Sequence, residues 1–105
     1  IDLNAMSKTM YEAWGPAESI KAFVHFPANT FPNQKTELKD NTHFTPFGAY
    51  EISKIILKGI RDNKLGLASF IKTGTPGFDP AKPDSFSSFY WPYSPTIASV
   101  KPDGN

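Results

Sequence analysis

Asp40 and His43 stand three residues apart in the run Asp40-Asn41-Thr42-His43-Phe44-Thr45-Pro46-Phe47-Gly48-Ala49. An aspartate beside a histidine can accept its Nδ1–H, which leaves Nε2 free to take a proton from a nucleophile and stabilises the imidazolium that then forms. That is the chemistry of a general base. The same letters also spell ordinary turn vocabulary, because Asp-Asn-Thr bonds readily to its own backbone and an Asp-x-x-His arises often by chance.

What must position these two residues is the helix that follows. Thr45 supplies an N-cap hydroxyl and Pro46 a first-turn residue with the right fixed φ, so a helix is expected from Pro46 to about Asp62, with Asp40 and His43 in the turn leading into it. Phe47, Tyr50, Ile52, Ile55, Ile56, Gly59 and Ile60 are expected on its apolar face, and Glu51, Lys54, Lys58 and Arg61 on its solvated side. Glycine costs about 1 kcal/mol relative to alanine inside a helix, so Gly59 on the apolar side signals a close neighbour.

The run from Asp40 to Ile52 closely resembles the last block of the SGNH (GDSL) hydrolases, most of all the rhamnogalacturonan acetylesterase branch, in Asp40, Thr42, His43, Phe44, Gly48 and Ala49. A weaker similarity extends from Ile1 to about Ile71, roughly two thirds of the chain. The resemblance implies that Asp40 and His43 complete a triad with a serine near the amino terminus of a longer protein. The family's Gly-Asp-Ser block, oxyanion-hole glycine and Gly-x-Asn-Asp block have no counterpart here. The chain is therefore expected to be the carboxy-terminal part of a serine carbohydrate esterase, inactive alone, whose partners are an acetylated polysaccharide and the missing amino-terminal part. The implied reaction requires no metal or organic cofactor, and the implied location is secreted or periplasmic. The implied parent fold is an α/β, flavodoxin-like three-layer sandwich. The chain itself lacks the alternating βαβα pattern that builds such a sheet, so it is expected to be mainly α-helical, with long irregular segments and at most one or two short strands.

Composition fits one small unit of 105 residues, and a net charge of +1 with no basic block favours neither nucleic acid nor a membrane surface. No apolar run approaches the roughly 18 residues of a membrane span, and no signal peptide opens the sequence. The absence of cysteine removes disulfides and thiolate metal sites without deciding the compartment.

In chain order, Ile1-Asp2-Leu3 reads as the tail of a strand begun upstream. Leu3, Met6, Met10, Ala13 and Trp14 fall at helical spacing, and Gly15-Pro16 ends that helix. A short helix can follow over Pro16 to Lys21. Ala22 to Phe26 is strand-like but has no evident partner within the chain, so it must pair outside it or stay irregular. His25 could join His43 and Glu37 around a metal, although the spacing favours a hydrogen-bonded or exposed histidine. Residues 28 to 39 read as a loop that either touches a sugar or only bridges two elements. Leu67, Phe70 and Ile71 propose a short helix over 65 to 72, packed on the same core.

We divide the sequence at residue 72. Residues 73 to 105 form a proline- and aromatic-rich tail, with six of the ten prolines between Pro76 and Pro102, so it should run extended over the hydrophobic flank. Alternatively Tyr90, Trp91 and Tyr93 form a sugar-stacking platform, which would make the chain a non-catalytic carbohydrate-binding or accessory module. Lys101 to Asn105 is expected to fray. Apolar surface left where a parent's sheet belongs would drive self-association.

Overall fold

The computed structural model describes residues 1–92; Tyr93 and the expected fraying of Lys101 to Asn105 lie outside them. Two helices and a two-stranded antiparallel sheet form the body, joined to short 3₁₀ turns and irregular chain. No helix among the described residues is long and apolar enough to cross a membrane.

Helix α1 spans Leu3–Ser19. Asp2 caps it, its Oδ1 accepting from the Ala5 N–H at 3.0 Å, so Ile1-Asp2-Leu3 is a helix entry and not the expected strand tail. Gly15, at φ +70° and ψ 176°, breaks the helical path where Gly15-Pro16 was expected to end it, and the final turn restarts beyond this kink. Of the expected stripe, Met10 is fully buried, whereas Leu3 is exposed. A 3₁₀ turn over Ile20–Ala22 leads into strand β1, Phe23–Phe26.

β1 does find a partner inside the chain, contrary to expectation. Strand β2, Leu38–Phe44, pairs with it antiparallel, and Leu38 and Lys39 therefore belong to a strand and not to the preceding loop. Pairing was hidden in the sequence because β2 is polar at almost every position and carries a break in its register.

Helix α2 spans Pro46–Asp62, as its cap chemistry requires. The Thr45 hydroxyl accepts from the Gly48 N–H at 3.3 Å and donates to the Lys21 carbonyl at 2.8 Å, which ties the helix start to the turn before β1. Phe47, Gly48, Glu51, Ile55 and Gly59 form the buried face. A Cβ on Gly48 would collide with the Ala22 carbonyl, and one on Gly59 with the Ile1 side chain, so both glycines allow close approach. Two corrections concern this face: Glu51 is buried and not solvated, while Tyr50 and Ile56 are exposed. Glu51 is buried beside Lys54, whose Nζ lies 2.6 Å from it and 2.7 Å from Asp84.

Beyond α2 the chain forms a 3₁₀ turn over Gly66–Phe70 in place of the expected packed helix, and Leu67 and Phe70 both face solvent. The following segment is held to both helices. Arg61 donates to the carbonyls of Thr75 and Pro76, each at 2.7 Å. The Trp14 indole donates to the Asp84 carbonyl at 2.8 Å, and the Phe86 N–H donates to Glu18 at 2.6 Å. Phe86 and Phe89 then lie 5.4 and 5.5 Å from the Phe47 ring, closing the core formed by Met10, Ala22, Phe47 and Ile55.

Candidate functional site

The break in register creates the site. Val24 faces Asp40 and Phe23 faces Phe44, so Asn41, Thr42 and His43 have no opposite residue on β1 and bulge outward. Asp40 and His43 thus both lie within strand β2 and not in the expected turn before α2, Asp40 paired with Val24 and His43 in the unpaired bulge. A bulge of this kind re-aims a side chain without dissolving the ladder on either side.

Asp40 organises the bulge. Its Oδ1 accepts from the N–H groups of Thr42 at 2.6 Å and His43 at 3.0 Å, and its Oδ2 accepts from the imidazole Nδ1 of His43 at 2.6 Å. These bonds to the charged form, the two backbone amides first and the imidazole after them, hold the carboxyl down at about 2. A carboxylate so fixed stays ionised and keeps the imidazole hydrogen on Nδ1. The His43 side chain is 78% exposed, and no described residue hydrogen-bonds its Nε2. Geometrically this is an oriented base with its second nitrogen turned to solvent.

Both ends of the bulge are anchored. At its start the His25 Nε2 lies 2.6 Å from the Asn41 Oδ1 across the strands. At its end the Phe44 ring packs 5.3 Å from Phe23, and the Thr45 N–H donates to the Ala22 carbonyl at 3.0 Å. Asn41 and its partner His25 were missed as site residues by sequence reasoning. His25 was read only as an exposed or hydrogen-bonded residue or a metal ligand, and without the register nothing pairs position 25 with position 41. Among the described residues no group of three or more His, Asp and Glu side chains could hold a metal, so His25, His43 and Glu37 do not converge.

Among the described residues no serine hydrogen-bonds to Asp40 or His43. A cleft of about 420 Å³ on the aromatic flank is lined by Phe23, His25, Phe47, Phe86, Phe89 and Trp91, among others, and neither Asp40 nor His43 lines it. Trp91 stacks on Phe89 at 6.1 Å, and Tyr90 and Trp91 remain 82% and 63% exposed.

Over 67 residues, 64% of the chain, the sequence is 48% identical to the rhamnogalacturonan acetylesterase RhgT of Bacillus subtilis (strain 168). The chain spans 28% of the length of that curated relative. No protein-family model matches the chain, and no solved structure matches it significantly. Over 64% of its length, then, this chain resembles a rhamnogalacturonan acetylesterase, as the block from Asp40 to Ile52 led one to expect.

Proposed function

We propose that this chain is the carboxy-terminal part of an SGNH-type serine esterase that removes acetyl groups from a rhamnogalacturonan-like polysaccharide outside the cell or in the periplasm. The observation that carries this reading is the 2.6 Å contact between His43 Nδ1 and Asp40 Oδ2, with the far side of the imidazole open to solvent. Likeness to an acetylesterase supports the reaction class.

In the proposed reaction His43 Nε2 takes the proton of a serine hydroxyl as the serine oxygen bonds to the acetyl carbonyl carbon. The bond from that carbon to the sugar oxygen then breaks, and His43 returns the proton to the departing oxygen. A water molecule, deprotonated by the same Nε2, attacks the acetyl-serine carbonyl; the bond from that carbon to the serine oxygen breaks, His43 gives the proton to the serine oxygen, and acetate leaves. Asp40 holds the imidazole tautomer and faces the positive charge as it forms. On this reading the serine and the donors for the carbonyl oxygen come from the rest of the longer protein, an α/β sandwich.

Two measurements test the proposal. The full-length protein should release acetate from acetylated rhamnogalacturonan, and His43→Ala should lower the rate by about a millionfold, as loss of a triad base does. The 105-residue chain alone should not turn over 4-nitrophenyl acetate. Undiminished release by the His43→Ala protein would sink the assignment.

A second reading rests on the exposure of Tyr90 and Trp91. As a binding module, the chain would retain polysaccharide on its own and lose it on Trp91→Ala, with Asp40 and His43 serving only the turn.

A further inference from the structure

We propose that His25 is a positioning residue for His43, acting through Asn41 across the two strands. The inference rests on the esterase reading and adds to it a residue outside the Asp40–His43 pair.

The bulge carries three residues with nothing opposite them, and it stands on a sheet of only two strands. An isolated pair of strands is marginally stable, so an unpaired excursion from it needs bonds of its own to keep one shape. Asp40 supplies the bonds that curl the bulge, but every one of them lies within residues 40 to 43. They define the shape of the curl and leave its tilt relative to β1 open. Tilt is set at the two ends. The far end is fixed by Phe44 on Phe23 and by Thr45 on Ala22 and Lys21. At the near end Asp40 is held in the ladder opposite Val24, and the side-chain bond that ties the first unpaired residue back to β1 is the 2.6 Å contact from His25 Nε2 to Asn41 Oδ1. Since the Asn41 oxygen is the acceptor, the His25 hydrogen sits on Nε2.

The geometry gives this bond leverage. Asn41 adjoins Asp40, and Asp40 holds His43 by both a backbone N–H and the ring. Swinging Asn41 away from β1 therefore turns the imidazole about a carboxylate that the ladder holds opposite Val24. The Asp40–His43 contact survives, but the aim of the imidazole at a serine held elsewhere does not. A misplacement of about 1 Å at a reacting group costs about a hundredfold in rate. The expected signature is a fall in kcat with the substrate still bound, because neither His25 nor Asn41 handles a proton in the reaction.

The experiment compares wild type, His25→Phe, His25→Gln, Asn41→Ala and His43→Ala in the full-length protein, with acetylated rhamnogalacturonan as substrate. His25→Phe removes the donor and keeps a ring on β1, whereas His25→Gln places an amide N–H where Nε2 stood. Asn41→Ala removes the acceptor from the exposed side of the hairpin and leaves β1 untouched. Expected are a ten- to hundredfold fall in kcat for His25→Phe and Asn41→Ala with KM changed less than about twofold, and near wild-type kcat for His25→Gln. An unchanged kcat in both His25→Phe and Asn41→Ala, with activity abolished by His43→Ala, would overturn the positioning role and leave the esterase reading standing. So would a fall that merely follows the unfolded fraction and is not rescued by His25→Gln. If His43→Ala keeps its activity, both readings fall, and that control tells the two failures apart.

Discussion

Asp40–His43 and Glu51–Lys54 are built on one spacing, an acid followed three residues later by a base, and they end in opposite conditions. In the first pair the base is exposed and the acid is held at about 2 by hydrogen bonds. In the second the acid is fully buried, its carboxyl pushed up by burial, with Lys54 Nζ at 2.6 Å drawing it back in part. Lys54 is itself 17% exposed. Burial alone would lower its ammonium, but the bonds to Asp84 and Glu51 outweigh that and raise it. Lys54 also lies over the rings of Tyr50 and Phe78, at 4.8 and 4.6 Å from their centroids. The first pair therefore has a base that a substrate can reach, and the second has one sealed between α2 and the segment that crosses it. Spacing brings an acid and a base together; burial decides whether the pair can do chemistry or only hold the fold.

The largest expected effect separates the two on rate. Asp40→Asn in the full-length protein should lower kcat by about 10⁴, since the amide can no longer hold the reactive tautomer. Its carbonyl oxygen can still accept from Thr42 and His43, so the protein should stay folded, with a thermal midpoint lowered only by the loss of the charge on those bonds. Acetate release and a melting curve on the same preparation check this. A variant that is fully active, or one that is inactive only because it has unfolded, breaks the comparison at its first half.

The second effect separates them on stability. Lys54→Met leaves Glu51 buried without its cation, and breaking a buried pair from one side costs about 3–5 kcal/mol. Replacing both, as Glu51→Leu with Lys54→Met, should recover most of that loss, because two apolar side chains of similar volume carry no desolvation cost. Urea unfolding of the 105-residue chain gives the three values. If the single variant is as stable as wild type, the second pair is not the structural counterpart described above.

These two pairs also mark how much could be read in advance. Thr45-Pro46 announced α2 because capping is local, and the apolar spacing that followed placed Phe47, Ile55 and Gly59 correctly inside. The same periodicity put Glu51 outside, since its burial depends on Asp84, thirty residues beyond the lysine that bridges them. β1 was legible as a strand and its partner was not: the mate is polar, it arrives after a long loop, and its register breaks at the residues that matter. Asp40 and His43 were singled out by type and by resemblance. The lift of His43 from the sheet and the anchor at Asn41 are products of a strand pairing that no local pattern encodes.

The smallest effect is the sharpest test, because it asks the two acids to respond to pH in opposite directions. Glu51 ordinarily titrates near 4.5, and burial raises it in the fold. The folded chain thus holds that proton more tightly than the unfolded chain, so the contribution is fully present below about 4.5 and is lost as pH rises through the raised value. Asp40 ordinarily titrates near 3.8 and is held at about 2. Its contribution is present above 3.8 and is lost as pH falls through about 2. Carbon-13 carboxyl shifts followed by NMR should show Glu51 moving at higher pH than a free glutamate and Asp40 at lower pH than a free aspartate. The amide protons of Thr42 and His43 should lose protection along with the Asp40 change, while those of α2 do not. Lys54→Met should push the Glu51 midpoint higher still and leave that of Asp40 in place. Were both carboxyls to titrate together near their ordinary values, the difference in burial and bonding between the pairs would have no energetic content, and an exposed, oriented base at His43 would have lost its physical ground.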